Sequence, residues 1–186
     1  IYEVPYGIKI SDVLALCRAE NAGAVQMAGA AGETVPASEF ERQILFEDLS
    51  TGGSLIVFNE KRDLLDMVEN FAEFFVHESC GFCTPCRVGG VLLRDLVKKV
   101  KAGRASNYDV QEMEKIASMM QKTAFCGLGS TAPNAVLDSL KKLPQIYQSR
   151  LQQSRFIPAF DLDAALGEAR EIAGREDRHA HLEQNP

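Results

Sequence analysis

The sequence contains no tryptophan, few aromatic residues, only three histidines and no excess of basic charge. The formal net charge of −6 argues against nucleic acid as a partner, because no net basic field would offset the repulsion of phosphates. No apolar run approaches the roughly 20 residues of a membrane-spanning helix, so we expect no membrane insertion. A glycine-rich dinucleotide loop, a Walker sequence and a catalytic-triad pattern are also missing. These residues therefore offer no obvious nucleotide site.

Cysteine is scarce, but four of the five cysteines fall in two short segments. Cys80, Cys83 and Cys86 follow one another at three-residue spacings in the run Cys-Gly-Phe-Cys-Thr-Pro-Cys, and Cys126 lies far away in Phe-Cys-Gly-Leu-Gly. Three thiols in one loop and a fourth from elsewhere can form the four-thiolate shell in which each iron of a cubane cluster has one ligand. The spacing therefore favours an iron–sulfur cluster on these four cysteines and a chain that transfers electrons.

Three other uses of the same thiols stay open on spacing alone. Structural zinc sites also take four cysteines, but usually as two separate Cys-x-x-Cys pairs rather than three ligands plus one. A Cys-x-x-Cys redox switch would exploit the lowered thiol pKa of that motif. A disulfide framework is the least favoured, because the chain has ample apolar residues for a core. Free thiols kept for a metal centre fit a reducing compartment, so we expect a cytoplasmic location.

The residues around the cysteines also fit a close approach to an inorganic cluster. Gly81 allows the backbone to fold tightly, and Pro85 stiffens the path between the last two thiols. Arg87 follows the last cysteine of the loop, where its cation would offset part of the negative charge of a ligated cluster; an exposed arginine at a helix start is the alternative. His77 has no ligand role in this scheme. The fifth cysteine, Cys17, lies in an apolar stretch and is predicted to be a core residue.

Residues 1–60 have the mixed pattern of a small α+β domain. Residues 1–4 alternate like a half-buried strand, and a short helix is predicted to begin after Ser11. Residues 24–27 form the next predicted strand. Residues 55–58 are a continuous apolar run that is typical of a buried strand. The expected order is strand, helix, strand, strand, with the helix packed on a mixed sheet.

Between residues 61 and 150 the apolar residues recur with the period of amphipathic helices. Four helices with short connections predict a four-helix bundle that carries both cysteine segments at one end. The predicted core residues are Leu64, Met67, Val68, Phe71, Phe74 and Phe75 in the first helix, Leu92, Leu93, Leu96, Val97 and Val100 in the second, Val110, Met113, Ile116, Ala117 and Met120 in the third, and Val136, Leu137, Leu140 and Leu143 in the fourth.

Residues 151–186 are predicted to form a separate tail. A short helix is expected to run to about Ile172, and Phe160 and Leu162 are predicted to dock on the rest of the protein. From Gly174 onward the sequence is strongly polar, so we expect it to be frayed or disordered.

The segments Glu78–Arg87 and Phe125–Gly129 closely resemble the family of NADH-oxidising flavoprotein subunits. This family includes the flavoprotein subunit of respiratory complex I and the diaphorase subunits of NAD-reducing hydrogenases and NAD-dependent formate dehydrogenases. Tyr2–Gly7 and Ala24–Gly29 resemble its ubiquitin-like β-grasp domain, and the remainder resembles its C-terminal helical bundle. The glycine after Cys126 is more like the hydrogenase and formate dehydrogenase branch, since complex I members commonly have proline there.

The resemblance implies a [4Fe–4S] cluster on Cys80, Cys83, Cys86 and Cys126, placed within a longer path of electron transfer. In the family, NADH gives a hydride to FMN, and single electrons then pass through the cluster to iron–sulfur centres of partner subunits. The part that binds FMN and NAD(H) has no counterpart in this sequence. We therefore expect a C-terminal fragment that is not catalytic alone. A zinc-stapled interaction module without redox activity is the alternative function.

The resemblance also makes a prediction about the sheet of residues 1–60. The first strand of the family's β-grasp domain has no counterpart here, so a sheet edge would be left unpaired. Unpaired backbone groups at such an edge can pair with another chain. The fragment is therefore predicted to be able to form a homodimer through residues 1–60.

Overall fold

The computed structural model describes residues 1–153 and 162–174. Residues 1–153 form one compact unit in which helices pack with a small sheet, which confirms the mixed α and β content. The other described segment holds a helix at Leu162–Ala173, in agreement with the predicted short helix of the tail. The predicted docking of the Phe160 and Leu162 side chains and the predicted disorder from Arg175 onward lie outside what is described.

The first part of the compact unit is built around a three-stranded antiparallel sheet. Its elements are α1 (Ile10–Leu16), β1 (Ala22–Met27), β2 (Glu33–Pro36), a 3₁₀ turn (Ala37–Glu39) and β3 (Leu55–Asn59). The strand order is β2–β1–β3, so β1 is central and pairs with both neighbours. The buried core of this part consists of Ile10, Leu14, Val25, Met27, Val35 and Leu49. Helix α1 therefore packs on one face of the sheet.

Two predictions for this region are wrong, and one strand was missed. Residues 1–4 form no strand, because the Ile1 and Tyr2 side chains are exposed and have no core face to cover. Strand β2 was not predicted, since only four residues form it. Strand β3 exists but is not of the buried type: it lies at the edge of the sheet, and Ile56 on it is exposed.

Cys17 is exposed and is not a core residue, contrary to the sequence prediction. Helix α1 ends at Leu16, one residue earlier, and Arg18 adopts a left-handed backbone conformation with φ of 54°. Only Ile10 and Leu14 of this helix are buried, one turn apart on the face toward the sheet. Cys17 and Leu16 therefore lie on the solvent side, although they are part of an apolar stretch.

The second part of the compact unit is helical. Its helices are α2 (Leu64–Glu78), α3 (Thr84–Lys101), α4 (Asn107–Thr123), α5 (Gly127–Thr131), α6 (Asn134–Lys142) and α7 (Pro144–Gln148); the helix of the tail is α8. The four predicted helices correspond to α2, α3, α4 and α6. Asp63 begins α2 by accepting a hydrogen bond from the Leu65 amide, and Ser106 forms a capping box with Asp109 at the start of α4.

One apolar core joins these helices. Its buried residues include Met67, Val68, Phe71 and Phe75 of α2, Leu93, Val97 and Val100 of α3, Met113, Ala117 and Met120 of α4, and Val136 of α6. These agree with the predicted inward faces. Phe74 and Leu92 are the exceptions, since both are exposed at the border of their apolar stripes. Among the described residues, no helix combines the length and the apolar character that a membrane crossing would require.

Polar contacts connect the sheet to α6. The backbone amide of Thr34 in β2 donates to Asp138 Oδ2 at 2.9 Å, and Asn134 donates to the Ala31 carbonyl at 2.7 Å. Lys142 bonds both Glu33 Oε1, at 2.6 Å, and the Thr34 carbonyl, at 2.8 Å. The outer backbone edge of β2 at Thr34 is thus covered by α6 rather than by another strand.

Candidate metal centre

The two cysteine segments each meet the start of a helix. Cys80 lies in the connection between α2 and α3, Cys83 is the N-cap of α3, and Cys86 is in the first turn of that helix. Cys126 is the N-cap of α5. All four are free thiols: Cys86 is buried, Cys83 is partly buried, and Cys80 and Cys126 are exposed. The sequence placed Cys86 and Cys126 in loops, whereas the structure places them at helix starts.

The structure brings the two segments together although they are distant in the sequence. A Cβ atom built on Gly129 would lie 3.1 Å from Cys86 Cβ and 3.5 Å from Cys86 Sγ, so α5 packs directly against the first turn of α3. The rings of Phe82 and Phe125 also meet, with centroids 5.8 Å apart. Residues on both sides of Cys126 therefore contact the loop that carries the other three thiols.

Gly129 is required at this contact for reasons of space. A Cβ atom there would lie only 2.8 Å from Ala124 Cβ, in addition to the short distance to Cys86 Cβ. Both neighbours are carbon atoms fixed to the backbone, so neither can turn away to make room. The glycine thus allows α5, and with it Cys126, to approach α3.

Cys83 lies in an environment that favours its thiolate. Hydrogen bonds from the backbone amides of Phe125 and Cys86, with the Arg87 cation nearby, hold the pKa of the Cys83 thiol below its usual value. The first of these donors comes from the segment of Cys126. Thiolates are the form in which cysteine binds metals, so the fold promotes the ligating form of this residue.

A network of hydrogen bonds shapes the loop from Ser79 to Arg87. Gly81 has a φ of +75°, which glycine adopts without strain, and its amide donates to Ser79 Oγ at 3.2 Å. The exposed Arg87 donates from Nη1 to the Gly81 carbonyl at 2.7 Å. Ser79 Oγ is also 3.3 Å from Cys86 Sγ. Arg87 therefore stabilises the loop, a role that the sequence did not indicate, and Ser79 was not predicted to take part at all.

Phe82 and Phe125 form an exposed aromatic pair beside the thiols, with 76% and 77% of their surface accessible. His77 lies outside this group: it is exposed, and its Nδ1 is 2.9 Å from Glu78 Oε1.

Within residues 1–153 and 162–174, no three His, Cys, Asp or Glu side chains are grouped closely enough to surround one metal ion. The case for a cluster at this site therefore depends on the chemistry of the four thiols and on the backbone around them.

Those features fit an iron–sulfur cluster. The four thiols are the soft ligands that such clusters use, and none is consumed in a disulfide. Backbone amides already point at Cys83 Sγ, and the close approach of α5 to α3 is possible because Gly129 has no side chain. The residues that would hold the group are Cys80, Cys83, Cys86 and Cys126.

Comparisons with known proteins agree with the chemistry of this site. The family model of the NADH-ubiquinone oxidoreductase-F iron-sulfur binding region matches residues 66–150, a range that includes all four cysteines. The alpha subunit of the NAD-reducing hydrogenase HoxS from Cupriavidus necator is 45% identical over 170 residues, which cover 90% of this chain and 28% of that subunit. A subunit of the NADH-quinone oxidoreductase from Aquifex aeolicus is 34% identical over 106 residues, covering 57% of this chain and 25% of that protein.

The fold of this chain is also similar to that of a solved structure. A crystal structure of an NAD⁺-reducing [NiFe]-hydrogenase in the H₂-reduced state superimposes with a TM-score of 0.79 and 41% sequence identity, covering 97% of this chain and 32% of that one. The chain thus spans about a third or less of the length of these relatives. Through residues 66–150, the chain belongs to the family of NADH-ubiquinone oxidoreductase-F iron-sulfur binding regions.

Proposed function

We propose that this chain passes single electrons through a [4Fe–4S] cluster held by Cys80, Cys83, Cys86 and Cys126. The observation that carries the proposal is the contact between the two cysteine segments, in which the Phe125 amide bonds Cys83 and Gly129 lies against Cys86. The family to which residues 66–150 belong is an iron–sulfur binding region. When bound, a cluster of this type accepts and releases one electron at a time.

The chain's own residues would support this role in distinct ways. The amides of Phe125 and Cys86 stabilise the Cys83 thiolate, and Arg87 brings a positive charge to its vicinity. Gly129 lets the helix that follows Cys126 lie directly against the first turn of α3, which carries Cys86. The rings of Phe82 and Phe125 are in contact with each other and so link the two cysteine segments at the surface. Each of these residues stabilises a ligand or the segment that carries it.

We further propose that the chain is part of a longer NADH-oxidising flavoprotein subunit in which FMN and NAD(H) bind outside these residues. The names of the relatives support this: one is a subunit of an NAD-reducing hydrogenase, and another is a subunit of an NADH-quinone oxidoreductase. The greater length of both leaves room for a nucleotide-binding part. Isolated residues 1–186 would then neither bind FMN tightly nor oxidise NADH, which a flavin titration and an NADH oxidation assay can check.

Two subdomains fit this proposal. Residues 1–60 would be a β-grasp-like domain, since α1 packs on one face of a small antiparallel sheet. Residues 61–150 would be a four-helix iron–sulfur domain, since α2, α3, α4 and α6 share one apolar core. Residues 151–186 would form the tail. The protein as a whole is proposed to be cytoplasmic, where thiols stay reduced and available to the cluster.

The proposed partners are other iron–sulfur subunits of a multi-subunit redox complex. The exposed pair of Phe82 and Phe125 supports this, because it offers an apolar contact surface directly beside the thiols. Homodimerisation through residues 1–60 remains a prediction. The edge of β3 is the surface for it: among the described residues no strand pairs with its outer side, whereas α6 covers β2. Sedimentation at high protein concentration would measure this association.

The test of the proposed function is a metal and sulfide analysis of anaerobically purified protein, with an EPR spectrum after reduction by dithionite. We expect about four irons and four sulfides per chain and the signal of a reduced cluster. One zinc and no sulfide, persisting after attempted cluster reconstitution, would instead establish the redox-silent zinc-stapled module. An intact Cys-x-x-Cys disulfide without metal would indicate a redox switch.

A further inference from the structure

The Ser79 hydroxyl is in direct contact with a proposed ligand, although it is not a ligand itself. In the thiol form, Cys86 S–H donates to Ser79 Oγ across 3.3 Å. Ser79 is the first residue after α2, and its backbone is extended there, with φ of −63° and ψ of 125°. The hydroxyl thus reaches across the loop from the end of one helix to the first turn of the next.

The direction of this hydrogen bond must change once Cys86 is a ligand. A thiolate has no hydrogen, so the only group that can donate between these two atoms is the Ser79 hydroxyl. The Gly81 amide already donates to Ser79 Oγ at 3.2 Å, which occupies an acceptor position of that oxygen. The hydroxyl hydrogen therefore remains free to point toward the sulfur.

We propose that Ser79 is a positioning residue that donates a hydrogen bond to the Cys86 thiolate and so raises the reduction potential of the cluster. The inference rests on the proposed function. Reduction adds negative charge that is shared by the sulfur ligands, and a donor to one of these ligands stabilises the more negative state. A hydrogen bond that is stronger in the reduced form shifts the equilibrium toward reduction.

Because Cys86 is buried, a hydrogen-bond donor to its sulfur should change the reduction potential more than a donor to one of the other three sulfurs. Cys86 is the one buried thiol of the set, whereas Cys80 and Cys126 are exposed to water. Water molecules replace a lost donor easily at an exposed sulfur, but not at a buried one. Removal of the Ser79 hydroxyl should therefore leave the Cys86 sulfur without a substitute donor.

The experiment is an anaerobic redox titration, followed by EPR, of the wild-type chain and of variants at Ser79. For Ser79→Ala we expect a lower midpoint potential, corresponding to about a tenfold smaller equilibrium constant for one-electron reduction, or about 59 mV. Ser79→Thr keeps a hydroxyl and should restore most of the wild-type potential. Ser79→Val has nearly the shape of threonine without the hydroxyl, so it should behave like Ser79→Ala.

Ser130→Ala is the matched control. Ser130 also lies beside a cysteine segment, but its hydroxyl donates to the Gly127 carbonyl at 3.2 Å rather than to sulfur. Its removal should leave the potential unchanged. If Ser79→Ala loses its cluster, the threonine and valine variants carry the same comparison, because they differ only in the hydroxyl.

The outcomes separate this inference from the function on which it rests. A wild-type chain that holds no iron and sulfide after reconstitution would overturn both. If the wild-type chain holds a cluster and its potential equals that of the alanine and valine variants, the inference about Ser79 is wrong, but the proposed function stands. A lower potential in these two variants, with iron and sulfide contents unchanged and with rescue by threonine, would establish the inference.

Discussion

The helical part and the sheet are held in the molecule by different kinds of contact. Helices α2, α3, α4 and α6 share one apolar core whose residues are almost wholly buried. The sheet has a smaller core of its own and is joined to α6 by hydrogen bonds and ion pairs, among them those of Thr34 with Asp138 and of Glu33 with Lys142. Apolar burial depends little on pH or salt, whereas charged contacts depend on both.

The two kinds of contact occur at different places in the molecule. The candidate metal centre lies at the starts of α3 and α5, where rigid packing fixes the distances between the two cysteine segments. The sheet contacts the helices through the ring of Phe58 against Phe71 of α2 and through polar groups on α6, and the contact with α6 depends partly on charge. We therefore expect mutations in the helical core to have the largest effects and mutations on the sheet side to have smaller, condition-dependent ones.

The largest expected effect comes from the shared helical core. Met113→Ala should lower the free energy of unfolding by about 2–5 kcal/mol, because the completely buried side chain leaves a cavity. Met119→Ala is the matched control: it is on the same helix, but 43% of Met119 is exposed. Urea unfolding of both variants measures the difference. Equal losses would contradict the idea that α4 is held by burial of one face.

The next effect concerns the approach of α5 to α3. Gly129→Ala should destabilise the protein by about 1–3 kcal/mol, because the added carbon would overlap with Ala124 and Cys86. It should also lower the iron content of the purified protein. Gly127→Ala is the control, since a Cβ there meets no atom within 4 Å. Iron retained at the wild-type level in Gly129→Ala would show that this close approach is unnecessary for the site.

A smaller, pH-dependent effect is expected where the sheet meets α6. Burial raises the pKa of Asp138 above its ordinary value, so the folded state holds this proton to higher pH than the unfolded state does. The protonated Asp138 carboxyl therefore stabilises the folded state fully at pH values below its ordinary pKa of 3.8. This stabilisation is lost as the pH rises through the higher pKa that Asp138 has in the folded protein.

The corresponding experiment is urea unfolding of wild type and Asp138→Asn between pH 4 and 7. The wild type should lose stability relative to Asp138→Asn as the pH rises, because asparagine stays neutral and still accepts from the Thr34 amide. Asp12→Asn, which removes a carboxylate at an exposed position, is the control. A pH-independent difference between wild type and Asp138→Asn would refute the assignment.

The smallest effect is predicted for the fifth cysteine. Cys17→Ala should change the free energy of unfolding by less than about 0.5 kcal/mol, because the side chain is exposed. In the wild-type protein Cys17 should react readily with an alkylating reagent, since the thiol is accessible. If peptide mass mapping showed that Cys17 is not alkylated, the result would support the sequence prediction that Cys17 is a core residue.

The helical part could be predicted because its signals are local. The apolar period of α2, α3 and α4 identifies buried residues such as Val68, Val97 and Met113, and cysteine spacing identifies the ligand candidates. Helix α5 was missed, since its Gly-Leu-Gly-Ser-Thr sequence has a low helix propensity and its packing against α3 and α4 is a tertiary contact. The contact of Ser79 with Cys86 crosses a turn that spacing alone does not describe.

The sheet was predicted less well because its burial is set by distant residues. Strand β2 is short, and its burial depends on α6, which lies about a hundred residues later, as the Thr34–Asp138 bond shows. Residues 1–4 have the alternation of a strand but no partner among the described residues. Cys17 belongs to an apolar stretch, yet α1 ends one residue before it. Such outcomes depend on tertiary contacts that local sequence patterns do not encode.

The central claim is that two segments distant in the sequence hold one cluster. Its most direct test is the iron and sulfide content, with the EPR spectrum of the reduced protein, of Cys126→Ala measured beside Cys17→Ala. The account predicts that Cys126→Ala loses the wild-type signal and much of its iron, while Cys17→Ala keeps both. A Cys126→Ala protein with the full iron and sulfide content and an unchanged spectrum would contradict it.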